Sequence, residues 1–181
     1  NIADFFRKSG HSFTPVTIED TNEFLAALES GRVDAITQDS SDLGIKQTQL
    51  ANPDDYILLP ERLSKEPLAP AIRHGDDRWL EIVNWTVWAT IQAEELGITQ
   101  ANVDEFLDST DPLIQRFLGT DTALGEAIGL DPKFAYNIVK AVGNYGEIFE
   151  RNVGKDSVFK WERGYNSLWT DGGLLYAPAW R

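Results

Sequence analysis

The stretch GRVDAITQDSSD, residues 31–42, decides how the first third of the chain is read. Before it, DTNEFLAALES (20–30) has a helical pattern: Phe24, Leu25 and Leu28 form an apolar stripe, and Asp20 with Glu23 resembles a capping box. Gly31 supplies the left-handed residue that ends such a helix. VDAIT (33–37) reads as a strand, and a further helix is expected from Ser40 to about Leu50. A helix running straight into a strand is the pattern of a βαβ unit with parallel strands. Asp39 falls two residues past Thr37, at the carboxyl end of that strand. Ligands of open α/β sheets sit beyond such ends, so Asp39 is a candidate to hold a cationic group by a charge-assisted hydrogen bond. It is also a candidate cap for the helix at Ser40, a role worth about 1 kcal/mol. The residues alone leave both roles open. Asp34 is a weaker candidate, because it can pair with Arg32 or face water.

Outward from this stretch, NIADFFRKSG (1–10) is amphipathic, with Ile2, Phe5 and Phe6 on one face and Gly10 as its stop. It reads as the interior of a helix, so sequence upstream of Asn1 is expected. Residues 13–18 and YILLP (56–60) are expected strands, and a fourth begins at LAPAIRHGDD (68–77). ERLSKEPLAP carries two prolines and reads as a connector between lobes. RWLEIVNWTVWATIQAEELG (78–97) is the longest helix signal, with Leu80, Val83, Val87 and Ile91 on one side and Trp85 and Trp88 widening the apolar surface. Shorter helices are expected in NVDEFL, DPLIQRFLG, ALGEAIG and DPKFAYNIVKAVG. The aromatic tail RGYNSLWTDGGLLYAPAWR is expected to pack onto the body of the protein.

With 29 acidic against 16 basic residues and a formal charge of −13, the chain lacks the clustered Lys and Arg that nucleic acid requires. Cysteine is absent, and His11 and His74 are the only histidines, so no metal site and no cofactor are expected. Ser157 and Lys160 match an S-x-x-K pattern, but its S-D-N and K-T-G partners are missing. Asn84-Trp85-Thr86 is a sequon inside a helix among core residues, and is read as accidental. The six tryptophans are read as core or surface-sealing residues rather than a sugar platform. No pair of carboxylates stands out for glycosidase chemistry. No catalytic residue is assigned.

The order ALESGRVDAITQD, LANPDDYILLPERLSKEPLAPAIRHGDDRWLEIVNWTVWATIQAEELGITQANVDEF, NYGEIFERNVG and finally RGYNSLWTDGGLLYAPAWR resembles the general L-amino-acid-binding proteins of polar amino-acid ABC transporters. The resemblance covers nearly the whole chain. It implies an α/β fold of the type II periplasmic-binding-protein class, with one lobe largely present plus the helical C-terminal part of the other. Residues 1–62 would form most of the second lobe, 63–68 the hinge crossing, and 69–181 the return to the first lobe. The aspartate of the family's G-R-x-D-A-x-x-x-D pattern binds the ligand's α-ammonium group, which implies that role for Asp39, with Thr37, Gln38 and Ser40 flanking it. The family's Gly-Thr-Thr turn and its carboxylate-binding arginine would lie upstream of Asn1, so the chain looks like the C-terminal half of a binding protein. The implied function is the binding component of an importer for polar L-amino acids. It would be periplasmic, made with a signal peptide in its precursor, and partnered by ABC permease subunits in the membrane. A half-length chain is expected to self-associate through uncovered edges. The alternative is the ligand-sensing module of a larger enzyme or receptor.

Overall fold

The structure is a computed structural model and describes residues 1–20, 23–120 and 124–180. By internal contacts the chain divides into two compact units, Asn1–Ala69 and Pro70–Arg181.

In Asn1–Ala69, helix α1 (Ile2–Ser9) ends at Gly10, whose φ of 73° is the left-handed stop its sequence predicts. Phe6 packs on Phe13 with ring centroids 4.6 Å apart. Helix α2 (Glu23–Glu29) ends in the expected glycine turn. Gly31 has φ 71°, and the amides of Arg32 and Val33 both donate to the Ala27 carbonyl, at 2.9 and 3.2 Å. The entry into α2 runs through residues 21 and 22, so the Asp20–Glu23 capping pair lies partly outside the described residues. Helix α3 (Ser40–Gln47) starts where the sequence places it and is shorter than expected. Its Gln47 side chain donates to the Tyr56 carbonyl at 2.7 Å, which ties down the 56–60 segment. Ala27 and Leu50 are the only apolar side chains buried in this unit among the described residues.

The expected strands at 13–18, 33–37, 56–60 and 68 onward form no ladder among the described residues. The physical reason is that alternation selects a face, whereas a strand exists only by pairing with a neighbour. In 56–60 the alternation survives: Tyr56 and Leu58 are half-buried, while Ile57 and Leu59 are exposed. Among the described residues no segment pairs with it as a strand.

In Pro70–Arg181 the central element is helix α4 (Asp77–Glu95), capped by Asp76, whose carboxylate accepts from the Trp79 amide. Its burial follows the expected stripe in part. Leu80 and Val87 are exposed, and burial concentrates at residues 89–93. Of the expected stripe, Ile91 is buried and Val83 half-buried, and the helix is enclosed all round only at 89–93, where the core also takes in the small residues Ala89 and Ala93. Their size lets α4 lie close to its neighbours, and it packs on α7 (Phe134–Val142) and α8 (Tyr145–Asn152). Helix α5 (Pro112–Leu118) also packs on α7; it begins at the Asp111 cap with Pro112 at its first position and stops at Gly119, φ 71°. Helix α6 (Leu124–Ala127) follows residues 121–123, which lie outside the description. The tail packs in part: Trp180 is 2% exposed and sits edge-on to Trp85 and Phe117, with ring centroids 4.9 and 5.2 Å away, and Leu168 is buried, while Tyr165, Trp169, Leu174 and Tyr176 stay exposed. An isolated bridge joins Leu168 to Leu175.

Candidate functional site

Asp39 occupies the N-cap position of α3, with φ −54° and ψ 137°. Its side chain makes no capping hydrogen bond, although that was the competing role read from the sequence. The helix is instead entered through the Asp39 carbonyl, which accepts from the Leu43 amide at 2.9 Å. Among the described residues the Asp39 carboxylate has no hydrogen-bond or ion-pair partner. It is exposed, as are Thr37, Gln38 and Ser40. These four residues come together as one continuous run leading into the first turn of α3. Asp34 is exposed and does not pair with Arg32, which reaches Glu23 at 3.8 Å instead. The reason is the glycine turn at 31, which folds the chain back toward the start of α2.

The other candidates resolve as structural. The hydroxyl of Ser157 donates to the Gly154 carbonyl at 2.8 Å, inside a turn. Asn84 lies within α4. A titrating cluster on the surface joins Asp104 to Lys140 at 2.6 Å and to the Tyr136 hydroxyl at 2.9 Å. Hydrogen bonds from Lys140 and then Tyr136 hold the Asp104 carboxyl below its ordinary range, while the bond to Asp104 raises both Lys140 and Tyr136. Its three groups satisfy one another. Among the described residues no group of three or more His, Asp or Glu is placed to hold a metal ion, and no helix is long and apolar enough to cross a membrane.

A groove of about 570 Å³ in Pro70–Arg181 escaped the sequence reading. It runs along the last turns of α4 at Gln92, Glu95 and Leu96, and is walled by Trp169 and Tyr176. Glu95 Oε1 accepts from the indole N–H of Trp169 at 3.1 Å and from the Ala177 amide at 3.4 Å. The residues joined are 74 positions apart, so no local motif announces the groove.

No protein-family model matches the chain. It is 53% identical over 180 residues, 98% of its length, to the general L-amino acid-binding periplasmic protein AapJ of Rhizobium johnstonii. It is 46% identical over 182 residues, all of its length, to the glutamate/glutamine/aspartate/asparagine-binding protein BztA of Rhodobacter capsulatus. This chain is homologous to amino-acid-binding proteins of ABC transporters. A solved periplasmic binding protein of an ABC transporter from Brucella ovis, with glutathione bound, superposes with a TM-score of 0.90 at 49% identity. The match covers 99% of this chain and 57% of that one. The chain spans about half the length of these curated relatives, 53% of AapJ and 54% of BztA. The fold it shares with the Brucella protein is therefore the periplasmic-binding-protein fold over the matched part, here rich in helix.

Proposed function

We propose that the chain is part of the substrate-binding component of an ABC importer for polar L-amino acids, working in the periplasm and delivering its ligand to permease subunits in the membrane. It performs no covalent chemistry. Residues 1–62 belong to one lobe of a type II binding protein, 63–68 to the crossing, and 69–181 to the other lobe. Asp39 receives the α-ammonium group, and Thr37, Gln38 and Ser40 line the same end of the site. Binding then shifts the population from open to closed forms, and the closed form docks on the permease. The observation that carries this reading is 46–53% identity, along the whole chain, to proteins whose names state amino-acid binding. The unpartnered carboxylate at the start of α3 supports the role of Asp39. Because these relatives are transporter binding proteins, the reading as a sensing module of an enzyme or receptor comes second.

The test is calorimetry on the full-length gene product with a panel of L-amino acids. Asp39→Ala removes a charge-assisted hydrogen bond of about 1.5–3 kcal/mol, which is roughly a 10- to 100-fold loss of affinity. Unchanged affinity would remove Asp39 from the site. Failure of the unaltered protein to bind any amino acid would remove the function.

A further inference from the structure

The groove at the end of α4 has the features of a second binding site, in a unit that the proposed function does not use for Asp39. Its floor is one helix face, because Gln92, Glu95 and Leu96 stand at i, i+3 and i+4. Gln92 is only 7% exposed, and its side-chain amide, which makes no hydrogen bond to another described residue, reaches the solvent of the groove. An amide on a cavity wall with no protein partner is free to exchange water for a ligand. Glu95 uses Oε1 for Trp169 and Ala177 and leaves Oε2 without a partner among the described residues. Both groups sit in the last turn of a 19-residue helix, where the aligned peptide dipoles favour positive charge. The walls are the rings of Trp169 and Tyr176, exposed at 62% and 66%. Aromatic faces attract cations, and Leu96 and Leu113 offer an apolar surface beside them.

A free carboxylate oxygen, an amide oxygen, a helix C-terminus and two aromatic rings all favour one sign of charge. We infer that this groove binds a small organic cation with an aliphatic body, an alkylammonium or alkylguanidinium group. Its N–H groups donate to Glu95 Oε2 and to the Gln92 carbonyl oxygen, and its methylenes lie against Leu96 and Leu113 between the rings. A second hollow of about 400 Å³, lined by Arg78, Glu81 and Glu126, mixes signs and has no such complement.

The inference is independent of the role of Asp39, and its test reads the groove alone. The indole N–H of Trp169, bonded to Glu95, gives its own cross-peak in a nitrogen-15 correlation spectrum, assigned by its loss in Trp169→Phe. The full-length gene product is titrated with n-butylammonium chloride, 1-butanol and sodium butyrate. A saturable shift of that peak is expected with butylammonium, none with butyrate, and a weaker one with butanol. Glu95→Gln keeps an acceptor for the Trp169 N–H and removes the charge, so butylammonium should bind about tenfold or more weakly. Equal response to butanol, no saturable shift, or unweakened binding by Glu95→Gln overturns the inference. If that variant does not fold, the three-probe comparison on the unaltered chain decides alone.

Discussion

Asn144 joins three parts of the Pro70–Arg181 unit, and its removal gives a cost that can be worked from the structure. It is 6% exposed. Its Oδ1 accepts from the Glu147 amide at 2.9 Å, and Glu147 Oε2 accepts from the Asn144 amide at 2.9 Å, a complete capping box at the start of α8. Its Nδ2 donates to the carbonyl of the fully buried Ile98 at 2.9 Å. Asn144→Ala loses the cap, about 1 kcal/mol. It also strands the Ile98 carbonyl, about 1–3 kcal/mol. The sum, about 2–4 kcal/mol, is a large share of the roughly 5–15 kcal/mol that holds a typical domain folded. Asn144→Ser separates the two terms, because a serine hydroxyl can still cap but cannot reach Ile98. It should therefore cost about 1 kcal/mol less than alanine. The assay is urea unfolding followed by tryptophan fluorescence. All six tryptophans lie between residues 79 and 180, so the signal reports this unit and is silent about Asn1–Ala69. An alanine variant within about 0.5 kcal/mol of the unaltered chain, the scatter of ordinary surface changes, would refute the argument.

Two further outcomes follow from the same unit. Trp180→Ala should lose about 3–5 kcal/mol through the cavity left among Trp85, Phe117 and Phe134. Trp180→Phe should lose clearly less, because it also removes an indole N–H that is buried without a partner among the described residues; urea midpoints check both. For the surface cluster, the Asp104 pKa is lowered on folding, so its contribution is present above the ordinary aspartate range and lost as pH falls through the lowered value. The pKa values of Lys140 and Tyr136 are raised, so their contributions are complete below their ordinary values and lost as pH rises through the raised ones. Asp104→Asn should therefore flatten the thermal-midpoint profile at both its acid and its alkaline end, and parallel curves for the two proteins would contradict this.

What the sequence made legible was punctuation. Gly10, Gly31, Gly119 and Gly143 mark helix ends because each carries a positive φ that other residues adopt at a cost. Asp111-Pro112 marks a start for an equally local reason, whereas α8 and its Asn144–Glu147 capping box were not read from the sequence. The position of Asp39 before α3 was legible too, but its lack of a cap bond was not, because rotamer choice depends on surroundings. The strands failed as ladders because pairing is non-local, and the chain carries about half the length of its relatives. The expected stripe of α4 holds at Ile91 and not at Leu80 or Val87, and the share of Ala89 and Ala93 in the core was not legible because small side chains weigh little in a hydropathy pattern. The Gln92–Glu95 groove had one faint signal, an aromatic tail richer in Trp and Tyr than free ends usually are.

The absence of a cap bond at Asp39 also makes the binding test cleaner than the residue's position suggests. Had the carboxylate capped α3, Asp39→Ala would have weakened the helix and the ligand together, and an affinity loss would have had two causes. With no side-chain bond to lose, the structural penalty reduces to the carboxylate's interaction with the helix dipole, about 0.3–1 kcal/mol at an exposed site and screened by salt. A ligand ammonium group held by the same carboxylate is worth more, about 1.5–3 kcal/mol. Asp39→Asn sharpens the contrast, since it keeps the shape and removes only the charge. Loss of amino-acid affinity by Asp39→Asn, with helicity and unfolding of the protein unchanged, assigns the charge to the ligand. Equal losses of affinity and stability would instead assign it to α3.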